Sequence, residues 1–63
     1  MKLINIERNE NLAEWLNVRI LDKVVETEKS LAIALQKAKE HQAEEQKNTR
    51  TPFIIIINKN AQL

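Results

Sequence analysis

His41 and Glu45 are the residues whose types and spacing come closest to a chemical site. They stand four positions apart in a helix-forming stretch, a spacing that could hold a metal ion or orient a proton acceptor. No third ligand accompanies them in the sequence, and a single histidine cannot build a histidine-based metal site. We therefore predict that this pair belongs to a solvated helix surface and that no metal is bound.

Clustered carboxylates and one serine are the other candidates for catalysis. Glu40, Glu44 and Glu45 could pair for acid–base chemistry, but clustered glutamates are ordinary on an exposed helix face. Ser30 has no base at a suitable position, and the cap of a helix accounts for it better. The sequence thus predicts a non-enzymatic protein with no catalytic residue and no cofactor.

Trp15 is the strongest candidate for contact with a partner. It is the only tryptophan of the chain, and tryptophan is enriched where a large ring fills a pocket on a partner. Arg19 lies close to it on the same arc of a predicted helix and is its candidate companion. The alternative, which we favour, is that Trp15 covers the core of its own chain beside Leu12 or under the strands.

Composition excludes several classes of function. The 63 residues include no glycine, which phosphate-binding loops need, and no cysteine, which disulfides and thiolate metal sites need. Ten basic and nine acidic side chains interleave, and the sequence pI of about 8.1 lies below the value of about 9 that is typical of nucleic-acid-binding domains. No apolar run approaches a membrane span or a secretory signal, so we expect a cytoplasmic protein that is intact from Met1.

Three segments must position these residues. We predict a strand over residues 1–6, a helical region over 11–47 that begins at Asn11, and a strand over 53–57. Helix-forming residues without proline or glycine fill the central region, and its apolar residues recur at helical spacing. That stripe consists of Ala13, Leu16, Ile20, Val24, Leu31, Leu35 and Ala38.

Two arrangements of the central region are open. A break at residues 27–30, where Thr27 or Ser30 could cap a second helix, would give a helical hairpin and let the two strands pair antiparallel. One continuous helix would span about 55 Å and leave the strands to pair only with another chain. The predicted fold is α+β and mostly helical, ordered β-α-α-β, in a single domain over residues 1–63.

The isoleucine-rich strand points to a homo-oligomer. Its side chains are apolar on both faces, with Ile55 and Ile56 on opposite sides, so both faces need cover. The first predicted helix is apolar on two sides as well, and a chain this short cannot cover so much surface alone. The candidate interface, most simply that of a dimer, consists of Val18, Leu21, Val25, Ile54, Ile55, Ile56 and Ile57.

We therefore predict a homodimeric regulator or inhibitor that binds another protein, an adaptor-like type that phages and mobile elements also carry. The alternative is a dimeric DNA-binding regulator, because a short strand followed by two helices resembles the layout of ribbon-helix-helix repressors. The polar alternation of their reading strand is missing here, so the sequence is not placed in that family. A third hypothesis is a structural assembly component built from long helices.

Overall fold

The chain forms one mixed β-sheet with a single long helix on one face. The computed structural model describes residues 2–62; Met1, part of the first predicted strand, and Leu63 lie outside the described residues. The elements in chain order are β1 (Lys2–Arg8), β2 (Leu16–Ile20), β3 (Lys23–Glu28), α1 (Leu31–Thr49), β4 (Phe53–Ile57) and a short 3₁₀ turn (Lys59–Ala61).

The sheet has the spatial order β3-β2-β1-β4. β1 pairs antiparallel with β2, with Asn5 opposite Arg19, and β2 pairs antiparallel with β3. β4 joins the other side of β1 in parallel, with Ile4 opposite Ile55. Parallel neighbours need a long crossover, which α1 supplies between β3 and β4. β3 and β4 are therefore the two edges of the sheet.

The predicted β-α-α-β fold is wrong, because the first half of the predicted helical region forms a strand hairpin. Residues 11–15 lie in the loop after β1, and β2 and β3 occupy 16–28. The fold is therefore neither mostly helical nor built on a helical hairpin or on one helix over 11–47. The strands over 2–8 and 53–57 do pair within the chain, but in parallel instead of antiparallel.

β2 is a strand because its side chains alternate between core and surface. Leu16, Val18 and Ile20 are buried, whereas Asn17 and Arg19 between them are only partly buried. β-Branched Val18 and Ile20 also suit a pleated surface better than a helix. A two-residue turn then returns the chain into β3, because Ile20 pairs with Lys23.

α1 begins and ends on identifiable caps. The Ser30 hydroxyl oxygen accepts a hydrogen bond from the Ile33 backbone N–H at 3.4 Å, so Ser30 has the capping role predicted for it. At the other end Arg50 adopts a left-handed conformation, and its N–H donates to the Gln46 carbonyl. The predicted end of the helical region at residue 47 is therefore two residues too early.

The core lies between α1 and one face of the sheet. Ala34 and Ala38 are fully buried, and these small side chains let the helix backbone approach the strands closely. Leu31 and Leu35 pack beside them, as the predicted apolar stripe of this helix requires, while Ile33 is exposed on the other side. The buried residues of the described chain are Ile4, Ile6, Leu16, Val18, Ile20, Ala34, Ala38, Phe53 and Ala61.

Candidate functional site

The face of the sheet opposite α1, which we call the open face, has no layer of the described chain packed on it. Strand side chains alternate, and those of Ile4, Ile6 and Phe53 point towards the helix and are buried. The pairing register places the intervening side chains on the open face. They are Leu3, Asn5, Glu7, Asn17, Arg19, Val24, Thr27, Ile54 and Ile56.

Three large apolar side chains share one half of the open face, and we call them the apolar patch. Leu3 and Ile54 lie directly opposite each other across β1 and β4, and Ile56 follows on the same side of β4. Their exposed fractions are 41% for Leu3, 41% for Ile54 and 40% for Ile56. Neighbouring apolar side chains with this much exposure form a continuous surface, whereas a single exposed leucine would need no explanation.

The other half of the open face is mostly polar, with Val24 on β3 as its one large apolar side chain, and it is electrically neutral. The Arg19 Nε–H donates to a Glu7 carboxylate oxygen, and both side chains are partly buried. Asn5, Asn17 and Thr27 surround the pair without adding charge. The two opposite charges cancel, so the whole face carries no net charge.

His41 pairs across the fold instead of along its helix. Its Nε2 atom lies 2.9 Å from a Glu26 carboxylate oxygen on β3, and both side chains are about 30% exposed. Glu45, the predicted companion, is not its partner. Within residues 2–62 there is no group of three or more metal-ligating side chains. The pair therefore ties α1 to β3, which the sequence could not indicate because 15 positions separate the two residues.

The other candidate catalytic groups have local structural roles or none. Ser30 caps α1, and Glu44 accepts a hydrogen bond from the Asn48 side chain at 3.4 Å. The Glu45 backbone carbonyl accepts from the Thr49 hydroxyl at 2.7 Å. Glu40 is exposed on the helix surface.

Trp15 and Arg19 lie in different settings. Trp15 is the last residue of the β1–β2 loop and is partly buried, with the Lys29 ammonium 5.0 Å from its ring centroid. Lys29 also lies 3.7 Å from the Glu14 carboxylate, so the ring belongs to a small cluster at one end of the hairpin. Arg19 lies within β2 on the open face.

The seven candidate interface residues divide between three settings. Val18 is fully buried in the core, and Val25, Ile55 and Ile57 pack against the core from its margin. Leu21 is exposed in the turn between β2 and β3. Ile54 and Ile56 lie in the apolar patch.

Leu3 was missed as a candidate interface residue. The alternation of residues 2–6 nevertheless placed it on the face opposite Ile4 and Ile6, which is the signal that could have found it.

Basic side chains do not gather on the open face, where Arg19 is already paired with Glu7. Lys37, Lys39 and Lys47 are on α1, interspersed with glutamates, and Lys59 and Arg50 lie in other segments. The described chain therefore presents no basic stripe of the kind that follows a nucleic-acid backbone.

Comparison with protein-family models, with curated proteins and with solved structures found no match for this chain. In residues 2–62, no helix combines the length and the apolar character needed to cross a membrane.

Proposed function

We propose that this chain is a small non-enzymatic binding protein of the cytoplasm that associates with a second copy of itself through the open face. The apolar patch of Leu3, Ile54 and Ile56 is the observation that carries the proposal. An exposed apolar surface gains free energy when a partner removes it from water, at roughly 25 cal/mol per Å².

Charge favours a second copy as the occupant. The open face is neutral because Glu7 and Arg19 cancel, so two copies of it meet without net repulsion. It also offers no charge that would select a basic or an acidic partner. A two-fold axis lying in the interface and perpendicular to the strands places patch against patch and polar half against polar half, which gives the self-complementary contact of a symmetric dimer.

The size of the face sets the expected affinity. Four strands about 4.8 Å apart and about five residues long, at about 3.3 Å each, cover a footprint of about 300 Å². Stable complexes bury about 800 Å² per partner, so the open face lies in the range of weak, transient interfaces. We therefore expect a dissociation constant in the micromolar range or weaker.

Replacing Ile55 and Ile56 with aspartate tests the proposal, because the two side chains lie on opposite faces of β4. Ile56→Asp places a carboxylate on the open face, so the fold should survive and association should be lost. Ile55→Asp places one against the core, where an unpaired charge costs several kcal/mol, so the chain should unfold. Circular dichroism melts measure the fold, and sedimentation velocity from about 10 µM to about 1 mM, which brackets a weak association, measures the dimer.

Ile33→Asp is the matched control, because Ile33 is as exposed as Ile56, at 46% against 40%, but lies on α1 away from the sheet. This variant should associate like the parent. The proposal is overturned if the parent remains monomeric throughout that concentration range, or if Ile56→Asp associates as strongly as Ile33→Asp.

A further inference from the structure

The outer edge of β4 is a place where a strand of another chain could extend the sheet. The hydrogen bonds from Lys2 N–H to the Pro52 carbonyl at 3.1 Å and from Asn58 N–H to the Ile6 carbonyl at 2.8 Å fix which backbone groups face β1. Groups alternate along a strand, so those of residues 52, 54, 56 and 58 face β1. Those of Phe53, Ile55 and Ile57 therefore point outward, where an added strand would pair.

Glutamine side chains occupy outward groups at both ends of this edge. The Phe53 N–H donates to Gln46 Oε1 at 2.9 Å, and the Gln42 side-chain amide donates to the Phe53 carbonyl at 2.7 Å. Gln42 and Gln46 are one turn apart on α1, so both reach the same end of the edge. At the other end the Gln62 amide donates to the Ile57 carbonyl at 3.2 Å.

An edge of this composition needs such protection. β4 is a run of one phenylalanine and four isoleucines, without the charge or internal proline that usually prevents an edge strand from pairing. Two copies of β4 could pair antiparallel about a two-fold axis at Ile55, which would set Phe53 opposite Ile57 of the partner strand. In that register only the central Ile55 pair could form its hydrogen bonds without displacing a glutamine.

We propose that Gln42, Gln46 and Gln62 act as a guard that closes the β4 edge to strand addition by a second copy of the chain. Each side-chain amide supplies the partner that the backbone group would otherwise seek in another strand. The guard is independent of the open face: a face-to-face dimer leaves the β4 edge as it is in the monomer.

Replacing all three guard residues with methionine tests the proposal, because methionine keeps the length of the side chain but has no amide. Gln36→Met is the matched control, since Gln36 is an exposed glutamine of the same helix. Amide hydrogen exchange should show the Ile55 N–H slowing at least about tenfold as the triple variant is concentrated. In the parent and the control the rate should not depend on concentration.

Exchange of the Ile55 amide distinguishes association through the open face from strand pairing at the β4 edge. Association through the open face leaves this amide exposed, whereas pairing at the edge protects it. The guard is overturned if the folded triple variant shows the same Ile55 exchange as the parent at every concentration. It is also overturned if the parent already protects Ile55 when concentrated.

Single substitutions at Gln46 test the capping itself without requiring the triple variant to fold. The carboxylate introduced by Gln46→Glu can still accept a hydrogen bond from the Phe53 N–H, whereas the thioether introduced by Gln46→Met is at best a weak acceptor. Exchange of the Phe53 amide should therefore stay slow in Gln46→Glu and rise on the order of fivefold in Gln46→Met. Equal Phe53 exchange in the parent and in Gln46→Met would show that the hydrogen bond from the Phe53 N–H to Gln46 does not form in solution, which would overturn the proposal.

Discussion

At the scale of single residues, the absence of glycine means that other residue types must take the turn positions that glycine usually fills, including those with a positive φ angle. Asparagine readily replaces glycine in turns, and Asn9 does organise its turn, since its side-chain oxygen accepts from the Asn11 and Leu12 N–H groups. The two positive φ angles of the described residues nevertheless fall on Leu21, at 58°, and Arg50, at 54°. Both residues carry a steric penalty that glycine would avoid.

Arg50→Gly should therefore stabilise the protein. The left-handed conformation costs a residue with a Cβ about 1–2 kcal/mol, and glycine loses about 0.5–1 kcal/mol in backbone entropy, so the net gain should be about 1 kcal/mol or slightly less. Lys39→Gly, at an exposed position inside α1, is the control and should destabilise by about 1 kcal/mol. Urea unfolding measures both. A loss of stability in Arg50→Gly would mean that Arg50 is not left-handed in solution.

At the scale of elements, some apolar residues fit both the 3.6-residue period of a helix and the two-residue period of a strand. Leu16 and Ile20 are four positions apart, which fits one face of a helix and, because four is even, also fits one face of a strand. Val24 continues the spacing of four, but it follows the turn and lies on the open face, opposite Arg19. Val18 distinguishes a strand from a helix here. It continues the alternation of Leu16 and Ile20 along a strand, whereas a helix would turn it towards the opposite side. The turn at Leu21 and Asp22 lacks the glycine or asparagine that usually marks a strand hairpin, so the hairpin was not foreseen.

Other elements could be read from the sequence because their signals were unambiguous. Five consecutive β-prone residues after Pro52 form β4 at the predicted positions. The segment from Ser30 has a cap, helix-forming residues and a narrow apolar stripe, all of which agree with α1. The predicted antiparallel pairing of β1 with β4 depended on two helices between them, so this prediction failed together with the first helix.

Leu16→Ala and Leu12→Ala distinguish the strand hairpin from the predicted helix. The two leucines are four positions apart, so a helix over residues 11–20 would place both on its apolar face. In the structure Leu16 is 2% exposed and Leu12 is 57% exposed. Leu16→Ala should therefore cost about 3 kcal/mol, as large-to-small substitutions in a core do, and Leu12→Ala less than about 0.5 kcal/mol. Similar losses in the two variants, measured by denaturant unfolding, would contradict the assignment of residues 11–20.

At the scale of the whole molecule, one helix covers one face of a four-stranded sheet and the other face stays open. The sequence pattern predicted more apolar surface than one short chain can cover. Part of that surface was assigned to a helix, whereas residues 16–28 form the two strands β2 and β3. Ile54 and Ile56 were predicted as interface residues from the pattern of their own strand alone. Leu3 joins them only through the parallel register with β4, a non-local pairing that no local pattern specifies.

A nuclear Overhauser experiment on a concentrated mixture of isotope-labelled and unlabelled protein tests the central claim most directly. It detects methyl groups of one copy that lie within about 5 Å of another copy, a distance comparable with that between contacting side chains. We predict intermolecular signals among the methyl groups of Leu3, Ile54 and Ile56, and none from the exposed Ile33 of α1. Intermolecular signals that are absent, or that arise from Ile33 and not from the apolar patch, would contradict association through the open face.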